Sequence, residues 1–127
     1  MPNKNDVQGV LEVIAGLLGE NGCPWDKKQT PLSLCDYVIE EAFELTEAIR
    51  ADDRHEAMEE LGDVLFLLMF ISTLYEKQGD FKLEDVCAAN IDKMVRRHPH
   101  VFDDLKVKDQ SEVLKNWETI KRGEKDN

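Results

Sequence analysis

The fold is decided by the stretch RHEAMEELGDVLFLLMFISTLYEK, residues Arg54–Lys77. Its middle, Val64–Ile71, is an unbroken apolar run, and the helical spacing of apolar residues continues on both sides of it. This continuity predicts one helix over the whole stretch, ending before Gly79, rather than a short strand. A helix that is apolar all round must be covered on every side, by other helices or by a second subunit. The stretch therefore predicts a helical bundle.

Similar patterns on either side of this stretch predict the remaining helices. We expect a first helix over about residues 6–19, a second over 31–51, a fourth over 83–97 and a last over 111–122, with irregular segments at 22–30 and 101–105. Thr30 followed by Pro31 is typical of a helix start, and Pro99 stops the fourth helix. The predicted fold class is all-α, an antiparallel helical bundle of four to five helices. The 127 residues suit a single domain, 1–127, with residues 122–127 as a frayed tail.

Helical spacing also predicts which side chains pack inside the bundle. The expected buried residues are Leu34, Cys35, Val38, Ala42, Leu45 and Ile49 of the second helix, Leu83, Cys87, Ile91 and Met94 of the fourth, and Val113, Leu114, Trp117 and Ile120 of the last.

Two pairs of carboxylates lie beside these apolar faces. Glu41 and Glu44 are one helical turn apart, and so are Glu60 and Asp63. Each pair can aim four oxygens at one point, which is what a hard divalent cation requires. Carboxylates at the mouth of an apolar core repel one another and lose hydration unless a cation neutralises them. If the two helices face each other, the four side chains form a magnesium site.

A single Glu-x-x-Glu in so acidic a chain is more often a solvated helix surface than a metal site. Because both pairs lie at the edges of apolar faces, a metal site is the better interpretation here. Glu40 and Glu47 lie farther toward water on the second helix.

The composition limits the classes of partner. A formal net charge of -11 and a pI near 4.6 argue against nucleic acid or an anionic membrane as the main partner, although a small anion could bind through a bridging cation. Val64–Ile71 is too short to span a bilayer, and the first residues lack the apolar segment of a signal peptide. Three cysteines without a Cys-x-x-Cys spacing fit a reducing compartment. We expect a soluble, cytoplasmic protein.

Several other residues could take part in chemistry. Lys93 and Arg97 are cations one turn apart that suit a phosphate chain, although surface charge is the commoner explanation. Trp117 and Lys121 repeat this spacing, and core packing is as good an explanation for the indole. The segment His98–His100 lacks zinc spacing, and a di-iron bundle would need Glu-x-x-His motifs that the chain does not have. Because there is no Walker loop either, phosphate binding would depend on metal and cations.

Four motifs occur in order along the chain. They are Gly22-Cys-Pro-Trp-Asp-Lys-Lys-Gln-Thr30, Glu40-Glu-x-x-Glu44, Glu60-Leu-Gly-Asp63 and Arg96-Arg-His-Pro-His-Val-Phe102. Together they resemble the MazG family of nucleoside triphosphate pyrophosphohydrolases. The similarity runs from the first helix to Asn116-Trp-Glu-Thr-Ile-Lys121 and so covers nearly the whole chain.

The resemblance implies an all-α NTP pyrophosphatase fold and Mg²⁺-dependent hydrolysis of an NTP or dNTP to the monophosphate and pyrophosphate, with a role in nucleotide-pool house-cleaning. It implies that the metal ligands are Glu41, Glu44, Glu60 and Asp63, that Glu40 completes the catalytic motif, and that the substrate contacts are Lys93, Arg97, Trp117 and Lys121. Members of the family commonly form dimers or higher assemblies, so a homodimer or homotetramer is expected.

Two other functions stay open. One is a non-catalytic acidic helical module that binds a nucleotide or a partner protein. The other is a structural bundle assembled through Val64–Ile71. The four carboxylates argue against both, because a protein that binds no metal gains nothing from like charges at a core edge.

Overall fold

The computed structural model describes Pro2 and residues 4–125. Within these residues there are seven α-helices, one 3₁₀ helix and no strand, so the predicted all-α class is confirmed. The helices are α1 (Val7–Leu18), α2 (Pro24–Lys27), the 3₁₀ helix (Leu32–Leu34), α3 (Cys35–Arg50), α4 (Arg54–Lys77), α5 (Leu83–Arg97), α6 (Pro99–Phe102) and α7 (Gln110–Lys125). The count exceeds the predicted four to five because α2 and α6 are single turns of four residues each.

The chain's contacts divide it into two compact units, Met1–Leu83 and Glu84–Asn127. The single domain expected from chain length stays a prediction. None of the described helices is long and apolar enough to cross a membrane.

The ends of α1 and α4 are determined by local hydrogen bonds. Asp6 caps α1 by accepting from the amide of Gly9 at 3.0 Å, and Asp53 caps α4 by accepting from the amide of Glu56 at 3.1 Å. Gly79, with φ of 84°, lies just beyond α4, as predicted. Both helices begin and end within one residue of the predicted bounds because these signals are local.

The predicted second helix is more complex than the sequence indicated. Its first turn, Leu32–Leu34, is 3₁₀, and α3 begins at Cys35. Thr30 still caps this start, since its hydroxyl accepts from the amide of Ser33 at 3.1 Å. The segment predicted to be irregular before it contains α2, which begins at Pro24, a residue whose fixed φ suits the first helical position.

The core of the first unit lies between α1, the 3₁₀ helix and α4. It consists of Ile14, Leu18, Leu34, Met69, Phe70 and Leu74, with Val10, Leu11, Phe66, Leu67, Ile71 and Leu83 packed against it. Phe70 has 1% of its surface exposed. The helix that the sequence identified as decisive therefore supplies half of the buried core residues.

Two predictions about α3 were wrong. Cys35 is exposed, and Ile49 has 60% of its surface exposed, although both were expected in the core. Ala48 is buried instead of Ile49. The reason is that α3 packs mainly against α4, so only one of its sides is covered within the described chain.

The second unit buries less than its helical pattern suggested. No residue of α5 is buried, so the predictions for Cys87 and for Ile91, which is 59% exposed, were wrong. Leu114 of α7 is 58% exposed as well. The segment expected to be irregular after Pro99 begins with α6. Residues 122–125 are helical in α7, and the fraying of the tail stays a prediction. The last two residues of the predicted tail lie outside the described residues.

Candidate metal centre

The candidate centre lies between α3 and α4. The short turn Ala51–Asp53 joins these helices and reverses the chain, with Asp52 in the left-handed region at φ 54°. Among the described helices, α3 and α4 pack against each other most extensively. This hairpin brings Glu41 of α3 opposite Glu60 and Asp63 of α4.

Three of the four predicted metal ligands converge in this hairpin. One carboxylate oxygen from each of Glu41, Glu60 and Asp63 lies within 4.8 Å of the others. Oxygens on opposite sides of a Mg²⁺ ion are about 4 Å apart, because each bond is about 2.1 Å long. Glu60 is 7% exposed and Glu41 is half-buried, whereas Asp63 is exposed. The cluster therefore has one side in the protein and one side open to a ligand.

The buried oxygens of this cluster lack hydrogen-bond donors. Oε2 of Glu41 and Oε2 of Glu60 are both buried, and the described part of the chain offers neither of them a partner. A buried carboxylate oxygen without a donor is destabilising. A proton held between the two groups or a bound cation would satisfy them.

The electrostatics of the cluster follow from this crowding. The pKa of Glu60 is raised to about 8, first by the hydrogen bond in which its protonated form donates to Glu41 and then by burial, with smaller effects from Glu56, Glu44 and the charge of Glu41. That hydrogen bond by itself lowers the pKa of Glu41. Burial and the neighbouring carboxylates outweigh it, so the pKa of Glu41 is raised overall. A cation in the cluster would relieve both effects.

The remaining predicted carboxylates lie near this cluster. Glu44 is not among the three groups whose oxygens converge, but its negative charge is close enough to raise the pKa of both Glu41 and Glu60. Glu40 is exposed on α3, and its charge also raises the pKa of Glu41. All five predicted acidic residues therefore lie on or beside one hairpin.

A cavity beside the cluster was not anticipated from the sequence. It has a volume of about 240 Å³ and is lined by Trp25, Tyr37, Glu41, Asp63, Phe66 and Leu67. The rings of Trp25 and Tyr37 meet edge to face, with centroids 5.8 Å apart and an angle of 83° between them. Trp25 remains 51% exposed. The available signal for this pocket was a tryptophan in the segment 22–30, which the sequence predicted to be irregular and in which the structure has α2.

The predicted cationic and aromatic contacts belong to the second unit. The guanidinium of Arg97 lies 5.3 Å from the ring centroid of Trp117, and the ring of His98 meets the same indole edge to face at 4.9 Å. Lys121 is half-buried one turn after Trp117 on α7, and Lys93 is exposed one turn before Arg97 on α5. The indole is therefore already in contact with two side chains of its own unit.

Zinc receives no support from the histidines. Across the described residues, the one group of His, Cys, Asp and Glu side chains arranged to hold a metal is Glu41, Glu60 and Asp63. His98 and His100 lie outside it, with their ring centroids 5.5 Å apart.

Comparison with known proteins identifies the family. Residues 29–102 match the MazG nucleotide pyrophosphohydrolase domain, which is more than half of the chain. The chain therefore belongs to the MazG family of nucleotide pyrophosphohydrolase domains.

Individual relatives agree with this membership. The chain is 53% identical over 113 residues to the uncharacterized protein YabN of Bacillus subtilis, covering 89% of this chain and 23% of that protein. It is 43% identical over 122 residues to a nucleoside triphosphate pyrophosphohydrolase of Escherichia coli strain K12, covering 95% of this chain and 46% of that protein. The chain thus spans less than half the length of these curated relatives.

A solved structure supports the fold. The crystal structure of a mazG-related protein from Thermotoga maritima matches with a TM-score of 0.75 and 26% sequence identity, covering 89% of this chain and 96% of that one.

Proposed function

We propose that this protein hydrolyses nucleoside triphosphates, NTP or dNTP, to the nucleoside monophosphate and pyrophosphate at the carboxylate cluster of α3 and α4. The observation that carries the proposal is the convergence of Glu41, Glu60 and Asp63, with two buried oxygens that lack donors. Membership of the MazG family and the name of the Escherichia coli relative support the same reaction. A role in nucleotide-pool house-cleaning follows from this activity.

Mg²⁺ is the cofactor that this donor set fits best, because all ligands are carboxylate oxygens and no His or Cys takes part. Glu41, Glu60 and Asp63 would hold it, and Glu44, whose charge is felt by both Glu41 and Glu60, is the fourth candidate ligand. Bound Mg²⁺ would contact phosphate oxygens and offset the charge that develops at the reacting phosphorus. In a chain of net charge -11, the same ion would also offset the repulsion between the cluster's carboxylates and a triphosphate.

The protein's own side chains would perform the remaining tasks. Glu40, exposed beside the cluster, is our candidate for the group that orients or deprotonates the attacking water. Lys93, Arg97 and Lys121 would neutralise phosphate oxygens. Two sites are candidates for stacking with the nucleobase of the substrate. One is the indole of Trp117, and the other is the cavity beside Trp25.

A panel of NTPs and dNTPs, assayed for pyrophosphate release with MgCl₂, tests the activity. We expect Glu41→Gln and Asp63→Asn to lower kcat/KM by about 100-fold or more, because each substitution removes a charged ligand of the cation. The matched control is Glu47→Gln, which removes the same charge from α3 at an exposed position that pairs with Arg50 at 3.4 Å. It should retain wild-type activity.

Two outcomes would contradict the proposal. If Glu41→Gln and Asp63→Asn both keep the activity of the Glu47→Gln control, the carboxylate cluster is not the reaction centre. If the wild type binds nucleotides with Mg²⁺ but forms no product from any member of the panel, the protein is the non-catalytic binding module.

A further inference from the structure

Glu124 of α7 is held by two arginines of α5. Its Oε2 accepts from Nε of Arg96 at 2.6 Å, and its Oε1 accepts from Nη2 and Nε of Arg97 at 2.8 and 3.3 Å. All three residues belong to the second unit, and 27 residues separate Arg97 from Glu124 along the chain. The two arginines thus surround one carboxylate with three N–H donors.

This arrangement has the features of a built anion site rather than of a surface ion pair. The side chain of Arg97 is 15% exposed and lies against the indole of Trp117, which fixes the direction of its donors. The side chain of Arg96 is 51% exposed, so an anion from solvent can approach from that side. The pKa of Glu124 is lowered to about 2, first by Arg97 and then by Arg96, so its carboxylate is charged at neutral pH.

Two guanidinium groups share one acceptor at this site. Among the described residues, the ion pairs of Arg96 and Arg97 are both made to the carboxylate of Glu124. A phosphoryl group has more acceptor oxygens than a carboxylate and, in a polyphosphate, more negative charge. Arginine forks match phosphate oxygens as well as they match carboxylates. A polyphosphate would therefore satisfy both guanidinium groups better than Glu124 does.

The Glu124 carboxylate can also reach water. Its side chain is 22% exposed, so the carboxylate can leave the two guanidinium groups for solvent. Its departure need not disturb Trp117, which contacts Arg97 two turns earlier along the same helix.

We propose that Arg96 and Arg97 form a phosphoryl-binding site in which the Glu124 carboxylate is an internal competitor that an incoming polyphosphate displaces. The proposal rests on the proposed function only for the identity of the natural ligand, the phosphate chain of a nucleoside triphosphate. It adds Arg96 to the phosphate contacts, and it makes Glu124 a residue that limits the affinity of the site. An internal competitor multiplies the apparent affinity by the fraction of molecules in which the site is free.

Calorimetric titration of the full chain with inorganic tripolyphosphate, in buffer with EDTA, tests this proposal. We expect Glu124→Gln to bind tripolyphosphate about tenfold more tightly than the wild type, equivalent to about 1.4 kcal/mol. Adding Arg96→Gln and Arg97→Gln to Glu124→Gln should abolish the gain. The matched control is Glu118→Gln, which removes the same charge from an exposed position of α7. Its affinity should change by less than about twofold at physiological salt, where distant surface charges are screened.

If Glu124→Gln binds tripolyphosphate no more tightly than Glu118→Gln while α7 stays helical by circular dichroism, the ion pairs are structural only and the proposal is overturned. NMR of the wild type decides the case in which the substitution unfolds α7. Saturating tripolyphosphate should shift the Nε–H signals of Arg96 and Arg97 and move the side-chain carboxyl signal of Glu124 toward that of a solvated carboxylate. A Glu124 signal that does not move at saturation overturns the proposal as well.

This test is independent of the metal centre. Because the titration contains EDTA and no nucleotide, a failure of the hydrolysis assay leaves its result unchanged. Conversely, a failure to displace Glu124 leaves the assignment of Glu41, Glu60 and Asp63 as it was.

Discussion

Glu60 has 7% of its surface exposed, and the groups nearest to its carboxyl are other carboxyls. Such a position is unfavourable for the charged form of the side chain. A structural core would be more stable with a Gln or a Leu there. The acid at this position is therefore best explained by a ligand that the fold alone does not require.

The protonation of Glu60 gives a prediction about stability. Its pKa in the folded protein, about 8, is above the ordinary value of 4.5, so its contribution to stability is complete below about pH 4.5 and is lost as the pH rises toward about 8. In EDTA, we expect the Tm of the wild type relative to Glu60→Gln to fall between about pH 5 and about pH 8. At pH 8, MgCl₂ should raise the Tm of the wild type more than that of the variant.

The control for this measurement is Glu76→Gln, an exposed substitution on the same helix. Its difference from the wild type should stay constant over the same pH range. A constant difference for Glu60→Gln would contradict the prediction and with it the crowding of charges at the cluster.

Trp25 gives a second prediction at the scale of one residue. Its ring lines the cavity beside Glu41 and Asp63, and stacking of a base on an aromatic ring is worth about 1–3 kcal/mol. We expect Trp25→Ala to raise the KM for nucleotides about tenfold with little change in kcat, and Trp25→Phe to keep most of the affinity. Steady-state kinetics measures both. Tripolyphosphate has no base, so its binding should not change, and equal KM values in wild type and Trp25→Ala would rule out this pocket.

At the scale of secondary-structure elements, the connection between two helices depends on close contacts between backbone atoms as well as on apolar patterns. Gly22 lies between α1 and α2, where the amide of Cys23 donates to the carbonyl oxygen of Leu17 at 2.8 Å. A Cβ added at Gly22 would lie 2.0 Å from that same oxygen. The tight connection that delivers Trp25 to its cavity therefore requires a glycine at this position.

This contact predicts opposite effects for two glycine substitutions. Gly22→Ala should destabilise the protein by about 2 kcal/mol or more, because the backbone must move to admit the methyl group. Gly16→Ala, inside α1, meets nothing within 4 Å and should stabilise it by about 0.5–1 kcal/mol through better helix propensity. Chemical denaturation measures both free energies. A small effect of Gly22→Ala would show that the connection is looser than these distances indicate.

At the scale of the whole molecule, the 3₁₀ helix, α3 and α4 carry large apolar side chains that stay exposed within the described chain. Leu32 is 83% exposed, Ile39 68% and Leu68 53%. These three line an apolar groove of about 480 Å³ that also includes Pro31, Cys35, Val38, Ile71 and Tyr75. Exposed apolar surface of this kind is typical of an interface. A second copy of the chain would bring the same surface and cover it symmetrically.

The expected homodimer or homotetramer can be tested on this groove. We expect light scattering after gel filtration to give a mass of two or four chains for the wild type and of one chain for the double variant Ile39→Glu, Leu68→Glu, because a buried charge in an apolar interface is costly. The control is Val7→Glu, a substitution of an apolar residue of α1 that is 54% exposed. A wild type that runs as a single chain at high concentration would refute the assembly.

The sequence by itself determined the all-α class, the bounds of α1 and α4 to within one residue, and the two carboxylate pairs from which three side chains converge. The helices depend on interactions within one or two helical turns and on caps such as Asp6 and Asp53. The convergence of the carboxylates depends on the short turn between α3 and α4, which makes the two helices pack against each other. Local interactions of this kind are readable from spacing alone.

Only the tertiary structure decided which apolar residues are covered and which polar groups meet at a distance. Ile49 and Ile91 have the right spacing but stay exposed within the described part of the chain. The cavity at Trp25 depends on where α2 packs, and Glu124 meets Arg97 across 27 residues. Burial and long-range pairing depend on which elements lie side by side. That arrangement results from the packing of the whole chain, so no periodic pattern of apolar or charged residues in the sequence reveals it.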